Sequence, residues 1–328
     1  MLLPSVSFAH DIFMVTGELS GDRLGGWYLE QLKKKHQKVN CIAIGGSEIK
    51  KAGGTICQSY EKLSIGFLGP IDFGKRLADI YDEYKEITKA LLLKPLDEIV
   101  LIEAPFVNLP LVYHIRKYHP EAKITYIAPP ELWLWGSWWI DSLLKGACNN
   151  IIVLYPFEAD WYKEHDINVT FKGYPFYDKF KPYFEYSEKK KAQVALLFGS
   201  RKSTVKANIP LYSEVIRMLQ NDYPELEFVI PVAESISKSE IKEELDCRFC
   251  TTDNIKFIKN EDEKNKALAQ SCMAITFPGT STLELAILKT PTIIAGKVPT
   301  MTYWLMKLLI KQEFVGFPNI ISGKEICR

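Results

Sequence analysis

The sequence predicts an α/β protein of two Rossmann-like domains, each a doubly wound parallel sheet, facing each other across a cleft. Short apolar runs rich in β-branched residues alternate with longer runs in which apolar residues recur at helical spacing, as in parallel sheets whose strands are joined by helices. The alternation stops at the charged, aromatic residues 181–191 and then starts again. We therefore assign residues 1–180 to a first domain, 181–191 to a linker and 192–328 to a second domain.

The elements of the first domain follow this alternation in chain order. The pattern predicts strands at residues 11–16, 41–44, 98–103, 123–128 and 150–155. A helix follows the first strand and ends in the three lysines of residues 33–35. Residues 75–93 carry apolar side chains at the spacing of an amphipathic helix. Because helices separate the strands, a parallel sheet is expected, with polar loops at its carboxyl edge.

The second domain repeats the pattern. Its strands are predicted at residues 193–199, 226–231, 254–258, 274–277 and 292–295. Helices are predicted to begin at Pro210 and to span residues 236–245, 261–270 and 283–288.

Composition narrows the class of protein. The 41 Lys and Arg residues nearly balance the 40 Asp and Glu residues, leaving a net charge of +1, so no overall field favours nucleic acid. The seven cysteines show no disulfide framework, which indicates a reducing compartment. The five histidines lack metal-ligand spacing, and no apolar run reaches membrane-spanning length. We expect a cytoplasmic protein without a metal or cofactor.

One loop of the second domain has the pattern of a phosphate site. A buried strand ends at Pro278 and Gly279, and Thr280, Ser281 and Thr282 follow as N-cap residues of an apolar helix. Backbone N–H groups and the positive end of a helix dipole hold phosphates at such an edge. Glu284 could accept hydrogen bonds from both hydroxyls of a ribose. The alternative is a capping box between Ser281 and Glu284 with no ligand.

A second loop of that domain has a similar pattern of a strand, a glycine and residues able to bind phosphate. A strand ends at Gly199, and Ser200 and Arg201 follow with a hydroxyl and a guanidinium that can grip phosphate. The alternative for Arg201 is a solvated loop charge.

Two acidic loops in the first domain are candidates for chemistry. Gly17 to Asp22 is a glycine-punctuated turn after the first strand and carries Glu18, Ser20, Gly21 and Asp22; the alternative is a tight turn capped by Ser20. Glu103 follows an apolar strand, where partial burial could tune a general base. The alternative for Glu103 is a rim carboxylate in a salt bridge.

Two stretches predicted to be loops are unusually apolar. The first precedes the basic pair Lys75 and Arg76, which suits a membrane interface or an acyl-chain pocket; it carries Leu63, Ile65, Phe67, Leu68, Ile71 and Phe73. The second carries Trp133, Trp135, Trp138 and Trp139. Packing between domains is the alternative for both stretches.

Taken in order, these motifs resemble the lipid-A-disaccharide synthase family of GT-B glycosyltransferases. The resemblance extends nearly from end to end and rests on Gly17–Asp22, Gly45-Gly46, Ile102–Pro105 with Asn108, Trp133 with Trp135, Pro156–Glu158, Gly173 with Pro175, Gly199–Arg201, Pro210, Gly279–Glu284 with Pro291, and Val315–Glu325.

The resemblance implies an inverting transfer of 2,3-diacylglucosamine from UDP to 2,3-diacylglucosamine 1-phosphate, without a metal. UDP would lie on the second domain, with Glu284 on the ribose and Glu103 as the base; Asp22 is the second catalytic candidate. The substrate-binding residues would be Glu18, Ser20, Gly21, Asn108, Ser200, Arg201, Gly279, Thr280, Ser281, Thr282, Glu284 and Asn319. Peripheral binding to the cytoplasmic face of the inner membrane is implied, with a homodimer as one assembly.

The chain departs from the family pattern at several positions. The family usually has aspartate where Glu103 and Phe106 stand, histidine at Tyr174 and arginine at Gly136, and it continues through further helices past Arg328. Two alternatives therefore stay open: another UDP-sugar enzyme of this fold, such as an epimerase, or a catalytically weak member that binds nucleotide sugar or lipid.

Overall fold

A computed structural model describes residues 9–60, 96–135, 144–200, 202–233, 236–248, 252–298, 303–304, 307 and 314–327. It divides the chain into two compact units, Met1–Pro175 (unit 1) and Phe176–Arg328 (unit 2). The division falls shortly before the predicted end of the first domain at residue 180.

Unit 1 is built on a parallel sheet of seven strands in the order β3-β2-β1-β4-β5-β6-β7. This strand order, which turns back on itself at β1, is that of a doubly wound fold. The strands are β1 (His10–Thr16), β2 (Val39–Gly45), β3 (Thr55–Ser59), β4 (Glu98–Ile102), β5 (Ile124–Ile127), β6 (Asn150–Val153) and β7 (Thr170–Phe171). The sequence pattern did not reveal β3 and β7, because these edge strands are short and partly exposed.

Helices cover the sheet of unit 1 and bury its apolar strands. They are α1 (Leu19–Lys35), α2 (Ser47–Lys51), α3 (Pro105–Tyr118), α4 (Leu132–Trp135) and α5 (Pro156–Glu164). The core around β4 and β5 includes Leu101, Val112 and Tyr126, none of them exposed to solvent. The helix predicted at residues 75–93 lies outside the described residues.

Unit 2 is built on a parallel sheet of five strands in the order β10-β9-β8-β11-β12. The strands are β8 (Lys191–Leu197), β9 (Glu227–Pro231), β10 (Ile255–Ile258), β11 (Ser271–Thr276) and β12 (Thr292–Ile294). The helices of unit 2 are α6 (Tyr177–Phe180), α7 (Phe184–Ser187), α8 (Lys202–Asp222), α9 (Lys238–Asp246), α10 (Glu261–Gln270), α11 (Thr280–Ile287) and α12 (Phe317–Ser322).

The predicted linker at residues 181–191 is mostly helical. A 3₁₀ turn at Lys181–Tyr183 leads into α7, and β8 begins at Lys191. The Tyr183 hydroxyl donates a hydrogen bond of 2.6 Å to Asp262 in α10. The segment therefore packs on unit 2.

Helix α8 begins at Lys202, well before Pro210, where the sequence pattern placed its start. Buried Val205, Ile209 and Tyr212 continue one apolar stripe across the proline. Packing of this stripe outweighs the hydrogen bond that proline removes from a helix. In the described part of the chain, no helix has the length and apolar content needed to cross a bilayer.

Candidate active site

Ionisable side chains collect at the carboxyl edge of the unit 1 sheet. Five neighbouring strands, β1, β4, β5, β6 and β7, end on loops at this edge. The first residues after these strands include Glu18, Ser20, Glu103, Glu131, Tyr155, Glu158 and Tyr174. Ligands of open α/β sheets bind at this edge, close to the point where the strand order reverses.

Glu103 makes four hydrogen bonds through three of its atoms. The Ser20 hydroxyl donates a hydrogen bond of 2.6 Å to its carboxylate Oε2. Its backbone N–H donates to the Ile127 carbonyl at 3.0 Å. Its own carbonyl accepts from the Asn108 amide at 2.8 Å and from the Tyr126 hydroxyl at 2.9 Å. These contacts bring the predicted residues Ser20, Glu103 and Asn108 together.

The backbone at Glu103 is strained. Glu103 and the following Ala104 have φ of 50° and 45°, the left-handed region that residues with a Cβ rarely adopt. A Cβ on Gly17 would lie 2.5 Å from the Ala104 Cβ, so glycine is required for the close approach of these two turns. A Cβ on Gly21 would lie 3.4 Å from the Glu103 carboxylate. The glycine turn after β1 therefore packs directly on the Glu103 turn.

Asp22, the second catalytic candidate, is bound to backbone. Its side chain is fully buried, and its carboxylate accepts hydrogen bonds from the N–H groups of Gly46 (2.6 Å), Glu48 (2.8 Å) and Ile49 (3.4 Å). These groups lie at the start of α2, where a carboxylate satisfies unpaired N–H groups and interacts favourably with the helix dipole. The geometry supports a structural role for Asp22 and gives no support to its use as a base.

Glu131 and Glu158 belong to this edge, although sequence reasoning did not include them among the site residues. Burial raises the pKa of both carboxyls to about 7, and a second carboxylate adds to each shift: Glu18 acts on Glu131, and Glu131 on Glu158. Glu158 accepts hydrogen bonds of 3.1 Å from the N–H groups of Leu154 and Tyr155. Position offered a weaker signal for Glu131, because it lies four residues after the end of β5, whereas Glu103 follows β4 directly.

In unit 2, three loops pack together at the carboxyl ends of β8, β11 and β12. Gly199 has φ of 108°, and a Cβ there would lie 2.7 Å from Thr204 Cγ2. A Cβ on Gly296 would lie 2.4 Å from the Phe277 ring. The Cβ on Gly199 would also lie 3.8 Å from Phe277 Cδ1, so the loops after the three strands meet at the predicted phosphate site. Ser200 lies exposed in the first of them, whereas Arg201 lies outside the described residues.

The predicted N-cap role of Thr280, Ser281 and Thr282 is wrong. Gly279 is the N-cap of α11, and no side chain caps it among the described residues. Ser281 instead lies 2.9 Å, hydroxyl to hydroxyl, from Thr276, and the Thr282 hydroxyl donates to the Gly279 carbonyl at 2.8 Å. The helix begins two residues earlier than a capping box of Ser281 and Glu284 requires, because Gly279 adopts the extended backbone of the cap.

Glu284 is paired with a lysine. Its Oε2 lies 3.7 Å from Lys264 Nζ, and the two side chains are only 12% and 15% exposed. With the capping box absent, Glu284 is a carboxylate on the first turns of α11, beside the phosphate-site loops.

Both polar atoms of the Asn319 side-chain amide form hydrogen bonds with backbone groups. Its Nδ2 donates to the carbonyls of Val315 (3.0 Å) and Cys327 (2.7 Å), and its Oδ1 accepts from the N–H groups of Ile326 (2.8 Å) and Cys327 (2.7 Å). These contacts fasten residues 326–327 to α12 and do not support the predicted role in a nucleotide pocket.

The predicted membrane and acyl-chain contacts, Leu63, Ile65, Phe67, Leu68, Ile71 and Phe73, all lie outside the described residues. Among the residues that the structure does describe, no group of three metal-binding side chains is present.

A model of the lipid-A-disaccharide synthetase family matches residues 12–328. The chain belongs to this family. It is therefore a glycosyltransferase of lipid A biosynthesis, which confirms the resemblance drawn from the motifs. The lipid-A-disaccharide synthase of Hydrogenovibrio crunogenus is 31% identical over 323 residues, which cover 95% of this chain and 83% of the relative.

Solved structures confirm the GT-B fold. The UDP-GlcNAc 2-epimerase of Neisseria meningitidis, bound to UDP-GlcNAc, aligns with a TM-score of 0.58 at 11% identity and covers 95% of this chain and 90% of its own. The glycotransferase of kitacinnamycin aligns with a TM-score of 0.57 at 12% identity and covers 89% and 82%. At such identities the likeness concerns the fold alone.

Proposed function

We propose that the protein transfers 2,3-diacylglucosamine from UDP to 2,3-diacylglucosamine 1-phosphate with inversion, forming the β-1,6 disaccharide 1-phosphate. The observation that carries this proposal is Glu103, a carboxylate fixed by Ser20 at the carboxyl edge of unit 1 in a chain that belongs to the synthase family.

Glu103 has the chemistry of a general base for this reaction. As the acceptor hydroxyl attacks the anomeric carbon, its proton would pass to the Glu103 carboxylate, and the bond from that carbon to UDP would break. The strained backbone and four hydrogen bonds hold the carboxylate in one place, which favours a single direction of proton transfer.

Unit 2 would hold the donor. The glycine loops after β8, β11 and β12 and the start of α11, which no side chain caps among the described residues, offer backbone N–H groups and the helix dipole to a diphosphate. The epimerase with this fold was solved with UDP-GlcNAc bound, which supports a UDP-sugar as donor. Charge on the departing UDP would be stabilised by these groups without a metal.

The test is to incubate the protein with UDP-diacylglucosamine and the lipid monosaccharide phosphate and to measure both products. Disaccharide and UDP should appear in equal amounts and only when both substrates are present. Conversion of the UDP-sugar without the acceptor would instead indicate an epimerase. Binding of both substrates without any product would indicate a member without catalysis.

Replacing Glu284 by alanine should weaken UDP binding. A charged acceptor on two ribose hydroxyls contributes roughly 1.5–3 kcal/mol, which is about a ten- to hundredfold change in Kd. Calorimetry of UDP against both proteins measures this, and 2′,3′-dideoxy-UDP serves as the control ligand. If the unaltered protein binds UDP and the dideoxy analogue equally, Glu284 only pairs with Lys264 and the ribose lies elsewhere.

We also propose that the protein binds the cytoplasmic face of the inner membrane peripherally through residues 63–73. Apolar residues followed by Lys75 and Arg76 suit an interface with anionic headgroups. Replacing Phe67 and Leu68 by serine should therefore move the protein from the vesicle fraction to the soluble fraction in a flotation assay. A variant that still floats with vesicles, or that no longer folds, would indicate that these side chains belong to the core.

A further inference from the structure

The two peptide groups that flank the Cα of Glu103 are both held by neighbouring elements. On one side, the Glu103 N–H donates to the carbonyl of Ile127, the last residue of β5, at 3.0 Å. On the other side, the Glu103 carbonyl accepts from the Tyr126 hydroxyl of β5 at 2.9 Å and from the Asn108 amide of α3 at 2.8 Å. A carbonyl oxygen has two lone pairs, and here there is a donor for each. These bonds restrict φ and ψ of Glu103 and therefore the direction of its side chain.

The Glu103 turn needs such restriction, because its backbone is strained. Glu103, Ala104 and, at the end of the next strand, Ala128 all have φ between 45° and 50°. Residues with a Cβ stay in this region only where the surrounding structure fixes them, and such residues cluster at functional sites. At the end of β4, the hydrogen bonds from Tyr126 and Asn108 supply part of that fixation.

Both donors are buried and directed at backbone. The side chains of Tyr126 and Asn108 are not exposed to solvent, so their contacts are with the interior of unit 1. The Asn108 Nδ2 also donates to the Ile102 carbonyl at 3.1 Å, and one amide thus binds two successive carbonyls of the turn. Among the described residues its buried Oδ1 has no hydrogen-bond partner. Because an unpaired buried acceptor lowers stability, the orientation of this amide serves the turn and not the best use of its own polar atoms.

We propose that Tyr126 and Asn108 are positioning residues for the general base. They bind the Glu103 carbonyl and so set the direction of its side chain, whose carboxylate then accepts the 2.6 Å hydrogen bond from Ser20. This inference rests on the proposed function, in which Glu103 takes the proton of the acceptor hydroxyl. A base must lie within hydrogen-bonding reach of that proton, and a displacement of about 1 Å can lower the rate about a hundredfold. Loss of either donor should therefore affect turnover and not substrate binding.

Tyr126→Phe removes the hydroxyl and keeps the ring. Turnover under saturating substrates should fall about tenfold to a hundredfold, because the carboxylate is less well placed. The KM of both substrates and the Kd of UDP should not change. Tyr162→Phe is the matched control, since Tyr162 is equally buried in unit 1 and its hydroxyl donates to another backbone carbonyl, that of Pro130, at 2.7 Å. This control should lose a similar amount of stability in urea denaturation and keep its turnover.

A double-mutant cycle with Glu103→Gln distinguishes positioning from a general loss of structure. If Tyr126 acts through the base, Tyr126→Phe should lower turnover no further in the Glu103→Gln background, because no base is left to position. A structural defect would lower turnover by the same factor in both backgrounds. Equal factors, or an equal loss of turnover in Tyr162→Phe, therefore overturn the proposal.

Asn108→Ala is the second variant and should likewise lower turnover at unchanged KM. A raised KM with unchanged turnover would indicate that Asn108 binds substrate, which overturns its positioning role. Turnover of Tyr126→Phe within about threefold of the unaltered protein overturns the positioning role of Tyr126 and leaves the proposed function intact. If the unaltered protein makes no disaccharide, the proposed function fails and the positioning roles fail with it. Should Tyr126→Phe not fold, the same cycle with Asn108→Ala decides.

Discussion

Replacing Glu103 by glutamine should lower turnover by roughly two to four orders of magnitude, the usual contribution of a general base. Glutamine keeps the size of the side chain and can still accept the hydrogen bond from Ser20, but its amide cannot take a proton. UDP affinity should be unchanged, because the proposed donor site lies on unit 2. Turnover measured under saturating substrates, together with calorimetry of UDP, checks both expectations.

Glu164→Gln is the matched control for this variant. Glu164 is an exposed glutamate of the same unit, at the end of α5, and its replacement should leave turnover unchanged. If Glu103→Gln retains turnover within about threefold of the unaltered protein, well short of a base effect, the base is another group. Glu131 would then be the first residue to examine, since it lies at the end of the neighbouring strand.

Replacing Asp22 by alanine should lower the free energy of unfolding by about 3 kcal/mol or more. The change leaves the N–H groups of Gly46, Glu48 and Ile49 without their acceptor, and each buried unsatisfied group costs about 1–3 kcal/mol. Urea denaturation monitored by circular dichroism measures the loss. The exposed Asp160 of α5 is the control, because its replacement by alanine should stay within about 0.5 kcal/mol.

The Asp22→Asn variant distinguishes a structural role of Asp22, as the cap of α2, from a role as the catalytic base. Asparagine offers one acceptor oxygen, and its amide nitrogen would face an N–H group. If Asp22 is the cap of α2, this variant should therefore also have a lower free energy of unfolding. If Asp22→Asn unfolds at the same urea concentration as the unaltered protein but has lost turnover, Asp22 acts as the base and the capping role is wrong.

The regular alternation of apolar runs sufficed to predict the parallel sheets. Strands β4 and β5 are buried along their whole length, and such strands leave a nearly continuous apolar run in the sequence. Edge strand β7 is two exposed residues long, and no local pattern distinguishes it from a loop. The predicted start of α8 at Pro210 was wrong. The free energy that a proline costs a helix can be judged from the local sequence, whereas the packing that offsets this cost comes from residues distant in sequence.

The candidate site was predictable only in part. Glu103 and Ser20 were found because polar residues directly after buried strands mark the carboxyl edge. Asp22 and Asn319 occupy similar motif positions, yet Asp22 binds backbone 24 to 27 residues away and Asn319 binds backbone four to eight residues away, and a motif does not report such partners. Glu131 lacked any recognisable motif, and its raised pKa arises from burial and from Glu18, both consequences of the fold.

The left-handed backbone at Glu103 and Ala104 lowers the stability of the folded chain but restricts the position of the Glu103 carboxylate. Each residue held in that region lowers the stability of the folded chain by about 1–3 kcal/mol. Glycine at position 104 would relax the turn and make the protein more resistant to heat, while giving the adjacent carboxylate more freedom to move. Screens for thermostable variants of this protein would thus enrich changes at position 104 that slow the enzyme, whereas selection for turnover would preserve the alanine.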